Sequence, residues 1–215
     1  MRYSFVIWDF NGTIADDLAL CMRAINTVLS RRGLPLVASP EQYREQFGFP
    51  IREYYGRLGF DFTKEPYEVP ADEWVALYTA GLSEVTAMAG AAQVLHRIRE
   101  AGIPQIILSA SERNMLLSQL ADLGFSSYFD EVLGVNNVYG GGKLDMAHAF
   151  AAAHPELRLS DALFIGDTDH DAATAKALGC DCVLFSGGHM SRQKLENCGC
   201  PVVDVLRDVL SIIFS

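Results

Sequence analysis

Apolar and polar residues alternate along this 215-residue chain in a pattern that predicts short buried strands separated by helices. The first apolar run, Phe5 to Trp8, is followed by Asp9, and Asn11-Gly12-Thr13 then predicts a turn. Similar apolar runs predict strands over residues 105–108, 131–135, 162–165 and 182–185. Helical spacing between the runs predicts helices over residues 91–100, 112–123, 143–153 and 171–178. This alternation predicts a parallel sheet with helices on both faces, because right-handed crossovers cover each face in turn.

The segment after the first strand has a different pattern. Between about residues 16 and 86, apolar residues recur at helical spacing, and glycine or proline ends each run, so only helices and no strand are expected. We therefore predict an α/β fold with a Rossmann-like core formed by residues 1–15 and 88–215. An all-helical domain, residues 16–87, is inserted into it. Asp16 or Asp17 is expected to cap the first inserted helix, and Ser111 the helix from residue 112.

The amino-acid composition limits the classes of protein to which this chain could belong. The formal net charge is −10, which disfavours nucleic-acid binding because phosphate neutralisation requires basic side chains. No apolar run is long enough to span a bilayer, and Trp8-Asp9 interrupts the first one, so a cytoplasmic monomer or homodimer without a membrane partner is expected. Two C-x-C pairs, at residues 180 and 182 and at 198 and 200, could hold zinc or form a disulfide. Reduced structural thiols are the favoured interpretation.

Polar clusters follow four of the apolar runs, at residues 9–13, 109–111, 143 and 167–171. In a parallel sheet the carboxyl ends of the strands share one edge, so these clusters are expected to meet. Asp9 would contribute a carboxylate to this edge, and Asp167 and Asp171 offer the hard oxygen ligands that Mg²⁺ prefers.

The stretch from Asp9 to Thr13, D-F-N-G-T, resembles the D-x-D-G-T motif of the haloacid dehalogenase superfamily. Ser109, Lys143 and the stretch G-D-T-D-H-D from Gly166 resemble the remaining motifs in the same order. The position of the helical insertion is similar to that of the phosphoglycolate-phosphatase-like branch, which has a small helical cap. The resemblance implies a Mg²⁺-dependent phosphatase that hydrolyses a small phosphorylated metabolite through an aspartyl phosphate on Asp9.

The resemblance also implies roles for individual residues. The residues implied to act in catalysis are Asp9, Asn11, Ser109 and Lys143. Those implied to hold the metal are Asp9, Asn11 through its backbone carbonyl, Asp167 and, as a partner or additional ligand, Asp171. Those expected to contact the substrate are Gly12, Thr13, Ser109, Ala110, Lys143 and, in the cap, Arg52, which could hold a carboxylate or second phosphate.

Asn11 departs from the family pattern, which has an acid/base aspartate at this position. A carboxamide has no titrating proton, so it can neither protonate a leaving group nor deprotonate water. His170 is a candidate substitute. The chain is therefore expected to be a phosphatase that is impaired or specialised for good leaving groups. The alternative is a phosphate-binding or regulatory protein with little turnover.

Two other chemistries of the superfamily are less well supported. Dehalogenases need no metal, whereas Asp167 and Asp171 suggest one. Phosphonate hydrolases use a cap lysine, and Lys64 is the only lysine of the insertion, at a position that gives little support.

Overall fold

The computed structural model describes residues 2–135 and 142–215. The strands are β1 (Phe5–Trp8), β2 (Ala15–Asp16), β3 (Thr86–Ala87), β4 (Gln105–Glu112), β5 (Glu131–Val135), β6 (Ala162–Gly166), β7 (Asp181–Phe185) and β8 (Val202–Val203). Six of them form a parallel sheet in the order β5-β4-β1-β6-β7-β8. β1 therefore lies inside the sheet, and the chain continues to β4 on one side of it and later to β6 on the other.

The helices connect these strands and cover the sheet. They are α1 (Leu18–Ser30), α2 (Pro40–Gln46), α3 (Ile51–Arg57), α4 (Glu68–Ala80), α5 (Ala91–Glu100), α6 (Arg113–Asp122), α7 (Lys143–Ala153), α8 (Asp169–Leu178), α9 (Arg192–Glu196) and α10 (Val209–Ile213). Single 3₁₀ turns occur at Leu82–Glu84, Ser126–Tyr128, Leu159–Asp161 and Leu206–Asp208.

Alternate side chains of β1 enter two separate hydrophobic clusters, one on each face of the sheet. Val6 and Trp8 belong to the cluster that includes residues of α5, α6 and α10. Phe5 and Ile7 belong to the cluster that includes residues of α7 and α8. The predicted parallel sheet with helices on both faces is therefore confirmed.

The inserted helices α1–α4 have a hydrophobic cluster of their own, which includes Ile25, Leu29 and Tyr55. The expectation of no strand in this segment is wrong, because β2 and β3 pair antiparallel with Ala15 opposite Ala87. A two-residue strand is too short to show a period of two in the sequence. β2 and β3 connect the sheet to the helical insertion, and the expected domain boundaries fall in or beside them.

Two predicted helix caps are also wrong. Asp17 precedes α1 but makes no cap hydrogen bond, because its carboxylate accepts hydrogen bonds from other groups described below. Ser111 does not cap α6, because β4 continues to Glu112, whose side chain accepts from the backbone of Asn114 and Met115.

All five cysteines are free thiols. None of the helices within residues 2–135 and 142–215 combines the length and the apolar character needed to cross a membrane.

A buried hydrogen-bonded pair links β1 to β4 and should contribute strongly to stability. Trp8 Nε1 donates to Gln105 Oε1 at 3.1 Å, and Gln105 Nε2 donates to the carbonyl of Leu95 at 3.0 Å. Replacing Gln105 with methionine leaves the buried Trp8 N–H unpaired and removes the donor to the carbonyls of Leu95 and Tyr128. A buried unpaired group costs about 1–3 kcal/mol, so we predict that Gln105→Met lowers the free energy of unfolding in urea by about 1–3 kcal/mol.

Gln119 provides the matched control. It is also buried, but neither of its amide atoms has a hydrogen-bond partner in the part of the chain that the structure describes. Gln119→Met should therefore change the free energy of unfolding by less than about 1 kcal/mol, or increase it. Equal losses in the two variants would contradict the importance of the Trp8–Gln105 hydrogen bond.

Candidate active site

The polar residues that follow β1 and β6 meet Lys143 at the carboxyl edge of the sheet. Asp9 follows β1, and its backbone N–H donates to the carbonyl of Ile165 in β6 at 2.8 Å. Asp167 follows β6, while Lys143 is the first residue of α7 and extends towards the same edge. The structure thus brings Asp9, Lys143, Asp167 and Asp171 together, although their clusters lie far apart in the sequence.

Lys143 forms a buried ion pair with two of these carboxylates. Its Nζ atom lies 2.6 Å from Asp9 Oδ1 and also donates a hydrogen bond to Asp171 Oδ1. The other oxygen of Asp171, Oδ2, accepts from the backbone N–H groups of Asp167 and Thr168 and from the Thr168 hydroxyl. Both oxygens of Asp171 are therefore engaged, and this residue positions Lys143 and the start of α8.

Asp167 is fully buried beside Asp9, and both of its oxygens accept hydrogen bonds. The Thr13 hydroxyl donates to Oδ1 at 3.0 Å, and the backbone N–H of His189 donates to Oδ2 at 2.6 Å. Carboxylate oxygens of Asp9, Asp167 and Asp171 lie within 4.8 Å of one another. Gly12 is required here because it has a φ of 73°, and a Cβ on it would lie 2.3 Å from the Asp167 carboxylate.

The carboxylates strongly perturb each other's pKa values. Burial and the charge of Asp171 raise the pKa of Asp9 to about 6, although Lys143 opposes the shift. Burial raises the pKa of Asp167 well above its usual range. Burial alone would lower the pKa of Lys143, but Asp171 and Asp9 outweigh it and keep the ammonium protonated. The site therefore concentrates more negative charge than its own cations balance.

Asn11 is held by a hydrogen-bond network that the sequence did not reveal. Its Oδ1 atom accepts from the Ser111 hydroxyl at 2.6 Å. Its Nδ2 atom donates to Asp17 Oδ2 at 2.9 Å and to the Tyr78 hydroxyl at 2.7 Å. The amide orientation is thereby fixed, since one side of it contacts a donor and the other a carboxylate.

Asp17 pairs on its other side with His189. The distance from His189 Nε2 to Asp17 Oδ1 is 3.0 Å, and both residues are buried. Burial alone would lower the pKa of His189, but Asp17 outweighs it and raises the value to about 9. Asp17 had the sequence features of a helix cap, and His189 follows two glycines after β7. His189 thus lies in a fifth polar cluster that follows a strand, in addition to the four predicted from the sequence, and this position was the signal that could have indicated it.

A cavity of about 210 Å³ extends from this sheet edge into the helical insertion. Asp9, Asn11, Ser109, Ala110 and Lys143 line it on the sheet side. The aromatic residues that line it are Tyr43, Phe47, Phe49, Tyr54, Tyr55, Tyr67, Trp74 and Tyr78. His170 lines it too, with its ring centroid 4.6 Å from that of Phe49, and burial lowers its pKa.

Several residues predicted to contact a substrate do not line this cavity. Arg52 is exposed, and its guanidinium lies 5.2 Å from the centroid of the Phe62 ring. Helix α3 directs Tyr54 and Tyr55 towards the cavity, which leaves Arg52 on the outer face, and its role as a substrate contact stays a prediction. Gly12 and Thr13 are also absent from the lining, and the Thr13 hydroxyl is occupied by Asp167. Gly140 and Gly141, which could have let the backbone approach a ligand, lie outside the described residues.

Comparisons with known proteins agree with this architecture. Residues 6–185 match the model of the family described as haloacid dehalogenase-like hydrolase. A phosphoglycolate phosphatase from Rhodobacter capsulatus is 27% identical over 187 residues, which cover 86% of this chain and 84% of the relative. A phosphoglycolate phosphatase from Caulobacter vibrioides is 26% identical over 205 residues, with 92% and 85% of the two chains covered.

Two solved structures share the fold over nearly their whole length. A haloacid dehalogenase-like family protein from Streptococcus pneumoniae superposes with a TM-score of 0.84 at 19% identity, covering 99% of each chain. A predicted phosphatase from Clostridium acetobutylicum gives a TM-score of 0.82 at 21% identity, covering 100% of this chain and 99% of the other. The predicted enzyme class and fold are confirmed, and the chain belongs to the haloacid dehalogenase-like hydrolase family.

Proposed function

We propose that this protein is a Mg²⁺-dependent phosphatase that hydrolyses a small phosphorylated compound through an aspartyl phosphate on Asp9. The observation that carries the proposal is the buried Asp9–Lys143 pair beside Asp167, at the sheet end of the cavity. The names of the relatives, phosphoglycolate phosphatases, support this reaction class.

The buried carboxylates fit a divalent cation. Four of them, Asp9, Asp17, Asp167 and Asp171, face at most two positive charges, on Lys143 and His189. Oxygen donors in such excess are the ligands that Mg²⁺ prefers. Asp9, the backbone carbonyl of Asn11 and Asp167 would hold the ion, and Asp171, whose Oδ1 accepts from Lys143, would be a partner or an additional ligand. When bound, Mg²⁺ supplies the positive charge that lets an anionic nucleophile approach a phosphate.

The chain's own residues have distinct tasks in this proposal. Asp9 attacks the phosphorus, and its covalent intermediate divides one difficult displacement into two easier ones. Lys143 holds Asp9 in place and contributes positive charge next to the phosphoryl group. Ser109, which is buried at the end of β4 and lines the cavity, and Ala110 bind the phosphoryl oxygens. The aromatic wall excludes bulk water from the reacting groups.

A second candidate is a phosphate-binding or regulatory protein with little turnover. The fixed Asn11 amide favours this second candidate. Hydrogen bonds from Ser111 and to Asp17 hold the amide in place, and an amide has no titrating proton with which to act as an acid or a base. In both candidates the phosphate site is the same, and only the rate of hydrolysis differs.

The nucleophile can be tested by substitution of Asp9. We expect Asp9→Asn to abolish Mg²⁺-dependent release of phosphate from acetyl phosphate, since an amide cannot form the phosphoenzyme. The exposed Asp16→Asn is the matched control and should retain activity. Intact-mass spectrometry should find a phosphorylated form of the wild type and none of Asp9→Asn. Residual turnover above a few per cent in folded Asp9→Asn would exclude Asp9 as the nucleophile.

The proposed role of Asp9 as a metal ligand can be tested by measuring thermal stability, without an activity readout. The pKa of Asp9 is about 6 in the folded protein and ordinarily 3.8, so its charge destabilises the metal-free fold increasingly as the pH rises through about 6. In EDTA at neutral pH, Asp9→Asn should melt about 2–8 °C higher than the wild type, which corresponds to about 1–2 kcal/mol. This difference should shrink towards pH 4.

Addition of Mg²⁺ should reverse that order. The ion binds the folded wild type and raises its Tm, whereas Asp9→Asn lacks one ligand and should respond less. Equal Mg²⁺ responses of the two proteins, measured by calorimetry at neutral pH, would count against Asp9 as a ligand.

The role of Asn11 can be tested by rapid-quench kinetics with acetyl phosphate. We expect the wild type to show a burst and accumulate phospho-Asp9, because no carboxylate at position 11 activates the attacking water. Asn11→Asp should remove the burst and raise steady turnover by up to about 10²–10⁴-fold. Intact mass should be checked first, since deamidation at Asn11-Gly12 would imitate this variant.

The Asn11 network supplies the control for that experiment. A carboxylate at position 11 would contact Asp17, whose Oδ2 lies 2.9 Å from Asn11 Nδ2. The double variant Asn11→Asp, Asp17→Asn keeps the total charge of the two positions unchanged. It therefore distinguishes the effect of acid/base catalysis by an aspartate at position 11 from the effect of repulsion between two carboxylates. If the wild type forms no phospho-Asp9 and neither variant gains turnover, the binding-protein candidate is favoured.

A further inference from the structure

The cavity above Asp9 has a wall that is unusual for a site that binds a small acidic metabolite. Eight aromatic side chains contributed by the helical insertion line it, together with Ile51, Ala71 and Val75. Several of these rings lie in ordered contacts, as Trp74 stacks on Tyr78 with a centroid distance of 4.9 Å and an interplanar angle of 12°. The wall opposite the phosphate site is thus apolar and has flat surfaces.

No basic side chain of the insertion faces this cavity in the described part of the chain. Arg52 lies over Phe62, Arg57 donates to the carbonyl of Gln46, and Arg44 donates to the carbonyls of Gly187 and Gly188. Residues 136–141, Asn-Asn-Val-Tyr-Gly-Gly, contain no lysine, arginine or histidine. Among the described residues, the insertion therefore presents no cation to the cavity with which to bind a carboxylate.

The basic residues that do line the cavity are already paired with carboxylates or packed against an aromatic ring, so they are poorly placed to bind a second anion. Lys143 is paired with Asp9 and Asp171, and His189 is paired with Asp17. His170 packs its ring against that of Phe49, with the two ring centroids 4.6 Å apart. A substrate carboxylate in this cavity would be buried without a counter-charge and close to the acidic edge of the sheet, which is unfavourable.

We propose that the substrate of this protein is a phosphate monoester of a phenol, whose ring occupies the aromatic wall while its phosphate lies at Asp9 and Lys143. This inference rests on the proposed phosphatase function and names the substrate class of the same site. The cavity volume of about 210 Å³ fits a leaving group of one or two rings rather than a larger ligand.

The chemistry of a phenol ester matches the amide at position 11. An Asp9 oxygen forms a bond to phosphorus, and the bond from phosphorus to the phenolic oxygen breaks. That oxygen keeps the electron pair and leaves as a phenolate, which needs no proton from position 11. Water then attacks the phosphorus of phospho-Asp9, which releases inorganic phosphate, regenerates the Asp9 carboxylate and gives a proton to the solvent.

Ligand binding can be measured without turnover on Asp9→Asn in saturating Mg²⁺. Benzyl phosphate and 2-phosphoglycolate are both esters of primary alcohols, so they differ chiefly in carrying a ring or a carboxylate. We expect calorimetry to give a Kd for benzyl phosphate about 10–100-fold lower than for 2-phosphoglycolate, because the ring is buried against the aromatic wall. Equal affinity, or tighter binding of 2-phosphoglycolate, would overturn the inference.

Binding of inorganic phosphate, measured in the same way, distinguishes a failure of this inference from a failure of the proposed function. If phosphate binds but the ring adds no affinity, the substrate class is wrong and the phosphatase proposal is unaffected. If neither phosphate nor any ester binds Asp9→Asn, and the wild type releases no phosphate from any of them, the proposed function fails. With the wild type, phenyl phosphate should turn over faster than benzyl phosphate, since only phenolate leaves readily without protonation.

Variants of the wall give an independent check. Val75→Arg places a cation in the cavity and should reverse the preference towards 2-phosphoglycolate, whereas Val69→Arg adds the same charge at an exposed position of α4 and should leave it unchanged. Trp74→Ala should reduce the preference for benzyl phosphate about 10-fold by removing a stacking surface. An unchanged preference in both Val75→Arg and Trp74→Ala would show that the wall does not contact the substrate.

Discussion

The buried contact of Lys143 with Asp9 and Asp171 is the interaction on which the rest of the site depends. Without its ammonium group, three carboxylates would lie close together at a sheet edge from which water is excluded. Such an arrangement is costly, because burial and like charges both disfavour ionisation. The ion pair stabilises the cluster but does not neutralise it, and the remaining negative charge is what the proposed Mg²⁺ would balance.

The fold concentrates these charges because several elements end at the same place. β1 and β6 are adjacent and parallel, so Asp9 and Asp167 leave the sheet side by side. The reciprocal capping box of Thr168 and Asp171 begins α8 and directs the Asp171 carboxylate at Lys143. The loop after β7 adds the His189 N–H to the second oxygen of Asp167. Local rules of strand ends and helix caps are therefore sufficient to build a highly charged site.

The fold and the charged half of the site could be predicted from the sequence because they depend on local patterns. Hydrophobic period and glycine stops located the strands and helices of the core, and the motif order placed Asp9 with Asp167. The Asp17–His189 pair was not predicted, since it joins residues 172 positions apart, Asp17 has the features of a helix cap, and His189 is marked only by its place after β7. The position of Arg52 outside the cavity lining could not be predicted, because only the packing of Tyr54 and Tyr55 decides which face of α3 points inwards.

The hydrogen bond from Asn11 to Asp17 limits which substitutions the site can accept one at a time. Position 11 supplies the hydrogen-bond donor and position 17 the acceptor. An aspartate at position 11 would therefore lie against the negative charge of Asp17. An asparagine at position 17 would lose the negative charge that faces His189. Each single change is penalised, whereas the two together restore the donor–acceptor contact between positions 11 and 17, although the charge that faces His189 is still lost. The two positions are thus epistatic, and an evolutionary path from asparagine to aspartate at position 11 passes through a disfavoured intermediate unless position 17 changes with it.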